Sequence, residues 1–142
     1  MLCREIMKTS VRCLSVSDTV QLAALTMRNA NIGFLPICDD DGRVLGTITD
    51  RDLSIRVLAD GLSPLTPVTA VMTPEVVACL PEDDVRVAEQ RMARGRVSRM
   101  IVVGDDNVLR GVISLSDLAQ RDEAGAMRTL RAVSSRERAS IH

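Results

Sequence analysis

The chain has 142 residues, of which 46% are hydrophobic, and a formal net charge of -1. That length suits one domain, or two small halves sharing a core, and the apolar content is enough to build it. The balanced charge and a pI near 5.8 leave no electrostatic footprint for nucleic acid, and Phe34, the sole aromatic residue, provides no stacking platform for bases. No apolar run is long enough to span a bilayer, and no charged-then-apolar leader opens the chain. A cytoplasmic protein without membrane contact is therefore expected. The four cysteines (Cys3, Cys13, Cys38, Cys79) show no C-x-x-C spacing, and His142 is the only histidine. A metal site is not expected, nor is a Ser-His or Cys-His nucleophile pair. With no catalytic group set visible, the chain is read as a non-enzyme.

In chain order, residues 2–8 read as a short lead-in helix or turn and Val11 to Val16 as a short β-prone run. Ser17-Asp18 offers a helix N-cap. Val20, Ala23, Ala24, Met27 and Ala30 then fall at helical spacing, which predicts a helix over 19–30 ending at Asn31-Ile32-Gly33. Residues 34–38 read as a buried strand in which Pro36 implies an edge or a start. Asp39-Asp40-Asp41-Gly42 is a hairpin turn. Its acids alone do not make a calcium loop, because the remaining ligand positions are missing. A return strand over 43–49 and a helix over 50–59 follow. Gly, Ser and two prolines then interrupt any periodicity over 61–67.

After that linker the same elements recur, 65 residues further on. Val71-Met72 matches Ile6-Met7. A strand over 76–80, a helix over 82–94, strands over 99–103 and 109–114 and a helix over 115–121 follow in the same order. Over residues 6–53 about a quarter of positions are identical at this offset, without a gap. Each unit reads β-α-β-β-α, so the fold class is α/β. One such unit buries too little surface to be secure alone, and two should pack as a pair. The expected division is a first repeat over 2–61, a linker over 62–70, a second repeat over 71–122 and a tail over 123–142. In the tail, Met127, Leu130 and Val133 predict a short amphipathic helix, with fraying expected beyond Ser134.

The chain is organised around Gly46-Thr47-Ile48-Thr49-Asp50-Arg51-Asp52 and its echo, Gly111 to Asp117. Each reads as a strand running into the first turn of a helix. Thr49-x-x-Asp52 and Ser114-x-x-Asp117 fit a capping box, in which the hydroxyl caps the helix and the acid reaches back. The same geometry also suits a nucleoside phosphate. Free backbone N–H groups and a hydroxyl favour the phosphate, and a carboxylate one turn in accepts from a ribose diol. The small Gly46 and Gly111 let a ligand or a neighbouring chain come close to the strand. Duplication of the whole set favours the ligand reading over capping alone.

These residues carry a resemblance. The openings Ile6-Met7 and Val71-Met72, the stretch Ile32-Gly33-x-Leu35-Pro36-Ile37, and the two heptads resemble CBS domains, named for cystathionine beta-synthase. Such domains occur as tandem pairs called Bateman modules, and the likeness covers roughly residues 2–122. It implies a pseudo-twofold pair of repeats with two clefts, homodimer assembly through the helices, and regulatory binding of AMP, ADP, ATP, S-adenosylmethionine or NADH. By the resemblance, Asp52 and Asp117 take ribose hydroxyls and Thr49 and Ser114 take phosphate. Ile32, Leu35 and Pro36, with Val97, Met100 and Ile101, line the adenine slots. The first site has Asp50 beside the phosphate position, needing Arg51 or Arg56 to compensate. The second has neutral Leu115 there and Arg99 as a phosphate partner, which makes it the better polyphosphate site.

The same fold implies that Cys13 and Cys38 are near neighbours, either as reduced thiols, which a cytoplasm favours, or as a disulfide. No partner follows for Cys3 or Cys79. The expectation is a stand-alone module that binds an adenine nucleotide and signals to an unidentified regulated protein. The alternative is a ligand-free dimerisation or interaction scaffold, redox-responsive through Cys13 and Cys38.

Overall fold

The computed structural model describes residues 1–141, apart from the side chains of 136–141; His142 lies outside the described residues, and the backbone beyond Ser134, expected to fray, is helical as far as Ile141. Two three-stranded sheets repeat one topology. The first contains β1 (Leu14–Ser15), β2 (Phe34–Cys38) and β3 (Val44–Thr49) in that order. The second contains β4 (Ala78–Cys79), β5 (Arg99–Val103) and β6 (Leu109–Ser114). In each, the short first strand runs parallel to the middle one, which pairs antiparallel with the third. Both antiparallel ladders shift register at equivalent places, Ile37/Cys38 and Val102/Val103. The mixed α/β architecture expected from the repeat is present.

Helix α1 (Val20–Ala30) is capped by Thr19, whose Oγ1 accepts from the Leu22 N–H at 3.1 Å, rather than by Asp18. The Asp18 carboxylate is already engaged, accepting from Ser15 N at 2.8 Å and fixing the turn out of β1. The second repeat uses the same device. Asp83 accepts from Leu80 N at 2.8 Å, and Asp84 caps α3 (Val85–Gly95) three residues later than expected. Both helices end on a left-handed residue, Asn31 and Arg96. Pro36 sits in the middle strand of its sheet rather than at a strand start. Its counterpart Ile101 donates its N–H to Val77 O, so the group that Pro36 lacks would face Arg12, just before β1 begins pairing. That lost bond accounts for a proline inside a central strand. The helix expected over 50–59 is α2 (Asp50–Asp52) followed by a wider π-helical turn over Leu53–Leu58. Helices α4 (Leu115–Ala119) and α5 (Glu123–Ile141) complete the chain.

The chain forms two compact units that do not coincide with the sequence repeats. One is Arg12–Val76; the other joins Met1–Val11 to Val77–His142. Each core is aliphatic: Leu35, Ile37 and Ile48 in the first unit, and Met92, Met100 and Ile113 in the second, are fully buried. The lead-in of each repeat is thus built into the unit holding the rest of the other repeat. Lys8 exchanges backbone hydrogen bonds with Val112 of β6 (2.9 and 3.0 Å), and Thr73 does so with Thr47 of β3 (3.0 and 2.8 Å). Glycine makes this approach possible. A Cβ on Gly111 would stand 2.7 Å from Lys8 O, and one on Gly46 2.8 Å from Thr73 O. Both obstacles are backbone, so a neighbouring chain segment, not a ligand, occupies this space.

Helix α5 packs on α3 through one buried acid. Glu89 is 6% exposed and pairs with Asp122, while its Oε1 has no hydrogen-bond partner. Asp122 starts α5, accepting from Gly125 N at 3.0 Å. A Cβ on Gly125 would collide with both carboxylates. Burial, then the hydrogen bond and charge of Asp122, push Glu89 up to about 7, opposed by Arg128 and Arg86. The hydrogen bond from Glu89 and that from Gly125 N hold Asp122 below its ordinary value. Glu89 therefore carries the shared proton.

Two predictions follow from this packing. Gly111→Ala should destabilise the protein by about 1–3 kcal/mol, through forced displacement of the lead-in backbone, read from denaturant midpoints. For Glu89, whose folded value is raised, the stabilisation is complete below the ordinary 4.5 and disappears as pH rises through about 7. The Asp122 contribution, with its lowered value, disappears instead as pH falls through that lowered value. Unfolding midpoints should therefore decline between about pH 5 and 8. Glu89→Gln, neutral and able to donate to Asp122, should flatten that decline and match or exceed the parent at pH 8.

Candidate functional site

Both repeated heptads form complete reciprocal caps. Thr49 Oγ1 accepts from Asp52 N at 3.1 Å while Asp52 Oδ2 accepts from Thr49 N at 2.9 Å. Ser114 Oγ accepts from Asp117 N at 3.2 Å and Asp117 Oδ2 from Ser114 N at 2.9 Å. Strand end, hydroxyl and acid thus form one rigid corner in each unit. Capping uses one oxygen per carboxylate. The other, Oδ1, faces a cation in each case: Arg56 Nε at 3.8 Å from Asp52 and Lys8 Nζ at 3.5 Å from Asp117. The hydroxyls accept within the caps, and their hydrogens are not used there.

The two cations come from different places. Arg56 lies on the π-helical turn after Asp52, and its Nη1 also donates to Val71 O at 3.0 Å. Lys8 arrives on the lead-in segment, with 72% of its side chain exposed, against an Asp117 only 9% exposed. The sequence reading missed Lys8, because its pairing joins segments more than a hundred residues apart. It gave Arg56 a different task, offsetting Asp50. The Asp50 carboxylate instead lies over Gly33 and accepts from Arg51 N at 2.8 Å.

The remaining predicted residues divide by strand face. Leu35 and Met100 are wholly buried in the cores of their own units. Pro36 and Ile101, also fully buried, alternate to the opposite face of β2 and β5 and lie outside those cores. Ile32 is exposed and Val97 half-buried, each just after its helix. Arg51 is exposed on α2. Arg99, also exposed, opens β5 directly across the ladder from Ser114, where the first unit has Phe34 across from Thr49.

The cysteines fall into two pairs. Cys13 is exposed and in hydrogen-bonding contact with buried Cys38, whose thiol is pushed up to about 12 by burial and by Cys13. Cys3 and Cys79, left without partners by the sequence, lie with their sulfurs 3.7 Å apart in the core of the second unit. Both pairs are free thiols. Among the described residues, no group of three or more His, Cys, Asp or Glu side chains gathers in a metal-binding cluster.

The CBS domain family matches residues 3–58 and again 68–123. The chain belongs to the CBS domain family. It is similar to the CBS domain-containing protein YhcV of Bacillus subtilis (strain 168), 37% identical over 116 residues that cover 82% of this chain and 81% of that one. Hypoxic response protein 1 of Mycobacterium tuberculosis is 32% identical over 118 residues, 82% of each chain. The solved structure of Hypoxic Response Protein I, with two coordinated zinc ions, overlays with a TM-score of 0.78 and 32% identity, covering 85% of this chain and 98% of that one. The CBS domain protein PAE2072 of Pyrobaculum aerophilum, complexed with AMP, shares the fold at a TM-score of 0.78 and 22% identity, covering 95% and 99%.

The caps themselves are testable. Ser114→Ala and Thr49→Ala should each cost about 1 kcal/mol in urea unfolding, the usual value of an N-cap hydroxyl. The double variant should lose the sum, since each cap is complete within its own unit.

Proposed function

We propose that this CBS pair is a stand-alone cytoplasmic regulatory module, not an enzyme, that binds an adenosyl ligand at its repeated caps and relays the binding to a protein partner. The observation that carries the reading is the division of labour within each aspartate. Oδ2 of Asp52 and of Asp117 fixes the cap, which leaves Oδ1 oriented and able to accept from a ribose hydroxyl. The unused hydroxyl hydrogens of Thr49 and Ser114 donate to phosphate. Ile32 and Val97, which retain exposed surface, supply the aliphatic walls for adenine, while the buried Pro36, Ile101, Leu35 and Met100 hold the strands behind them. The AMP complex of the similarly folded PAE2072 supports an adenosyl ligand.

The second site suits AMP, ADP or ATP better, because Lys8 and Arg99 flank Ser114 and Asp117. In the first, the Asp50 carboxylate adjoins the cap and Arg56 is engaged by Asp52 and Val71 O, which disfavours additional phosphates and leaves S-adenosylmethionine, a cation, the better match. Binding changes the partner's behaviour only if the ligand favours one arrangement of the module over another. Leu58 and Leu65, 79% and 73% exposed, are apolar side chains suited to homodimer formation. No described helix is long and apolar enough to cross a membrane. The competing reading, a ligand-free scaffold, draws on the fact that both caps are complete without a ligand.

Calorimetric titration of the reduced protein with AMP, ADP, ATP, S-adenosylmethionine and NADH separates the two. The nucleotide reading expects saturable binding that weakens by at least about tenfold in Asp52→Ala or Asp117→Ala, roughly one hydrogen bond's worth. Thermal unfolding of each variant controls for the lost cap. No heat with any ligand, from a folded protein, leaves the caps as helix starts and the scaffold as the function.

A further inference from the structure

We propose that Cys3 and Cys79 are a reversible redox couple, whose disulfide locks the lead-in segment onto the second compact unit. The two residues are 76 positions apart, yet their sulfurs lie 3.7 Å from each other, and both side chains are fully buried. Backbone bonds already hold the two segments in place: Cys3 N donates to Asp83 O at 2.8 Å and Arg4 N to Pro81 O at 2.9 Å. Closing the sulfurs to a bond of about 2.0 Å therefore needs a local shift rather than a new fold. Cys3 sits in a single helical turn (Cys3–Glu5) two residues from the exposed Met1, so opening of this short segment admits a small oxidant.

The pair has a built-in division of roles. The Cys79 thiol donates toward Cys3, which lowers Cys3 and raises Cys79; burial pushes both up, Asp83 adds to that, and Arg91 opposes it. Cys3 is thus the attacking thiolate and Cys79 the resolving thiol. With a hydroperoxide as oxidant, the Cys3 sulfur attacks one peroxide oxygen, the O–O bond breaks, and hydroxide leaves. Cys79 sulfur then displaces hydroxide from the Cys3 sulfenic acid and gives up its proton. In total, two thiols and one hydrogen peroxide yield one disulfide and two waters. A thiol reductant reverses the change.

The consequence reaches the candidate site without depending on any ligand. The segment that Cys3 would lock also carries Met7 over Gly111 and Lys8 to Asp117. The exposed Cys13 with buried Cys38 is a separate pair, and the test must distinguish the two. Full-length protein is exposed to equimolar hydrogen peroxide while folded, then denatured, alkylated and peptide-mapped. The proposal expects a linked Cys3–Cys79 peptide that disappears on reduction and persists in the Cys13→Ser Cys38→Ser double variant. It also expects a higher unfolding midpoint for the oxidised protein, a shift absent in Cys3→Ser. Recovery of both Cys3 and Cys79 as alkylated thiols overturns it, as does oxidation confined to Cys13–Cys38. Mapping of the unsubstituted chain decides the matter even if a serine variant fails to fold.

Discussion

The approach of a backbone to a glycine in the third strand of each sheet is the constraint on which the rest of the structure depends. Gly46 and Gly111 admit Thr73 and Lys8 to distances that any side chain would forbid. Each approach adds a lead-in to a sheet whose other strands lie elsewhere in the sequence, so neither sequence repeat is a folding unit by itself. Small repeats of this size bury too little surface alone, and the exchange of lead-ins makes up part of the deficit within each compact unit. The cost is closure of a long loop, which grows only slowly with its length. The same contact brings Lys8 to Asp117 and Cys3 to Cys79, so electrostatics at one cap and a thiol pair in one core both follow from a missing Cβ.

The caps show why a folding device and a ligand site need not be alternatives. A helix start needs one carboxylate oxygen and one hydroxyl lone pair; each aspartate has a second oxygen and each hydroxyl a hydrogen left over. Because the first oxygen is fixed by backbone N–H groups, the second is held in a defined direction before anything binds. Ordering costs for these groups are met during folding, which leaves less to be lost on association. Each second oxygen faces a cation only at 3.5 or 3.8 Å, and that cation's own side chain is about half or more in solvent, a contact loose enough to yield to a better partner.

Much of this was legible in the sequence because it is local. The alternating apolar runs, the Asp-rich hairpin turns and the Thr49-x-x-Asp52 and Ser114-x-x-Asp117 spacings place β2, β3, β5, β6 and both caps to within a residue or two. What escaped is set by contacts between distant segments. Asp18 looked like a cap but is occupied by Ser15, leaving the task to Thr19. Periodicity over 50–59 gave no hint of the π-helical turn that carries Arg56 to the Val71 and Met72 carbonyls. Cys3 and Cys79 have no shared spacing, and their contact exists only because the lead-in crosses to the second unit. Glu89 occupies the position of Ala24 in the first repeat, so the repeat pattern itself pointed away from a buried acid; only Asp122 and Gly125, outside the repeat, give it a role.

The two caps are alike in geometry and differ in their surroundings, and several of the differences alter charge. Leu115 stands where the first repeat has Asp50, and Arg99 where it has Phe34. The cation at Asp52 belongs to the same short helical stretch and is tethered to carbonyls. The cation at Asp117 comes from the lead-in and is largely in solvent. Exchanging Asp50 for Leu115 and Phe34 for Arg99 adds two positive charges and exchanging Arg51 for Ser116 removes one, so the second site is more positive by one charge beside an equivalent hydroxyl–carboxylate pair. Electrostatic complementarity acts mainly on specificity, so on the proposed nucleotide reading duplication keeps the ribose-holding pair and separates the sites by the charge of what is attached to it.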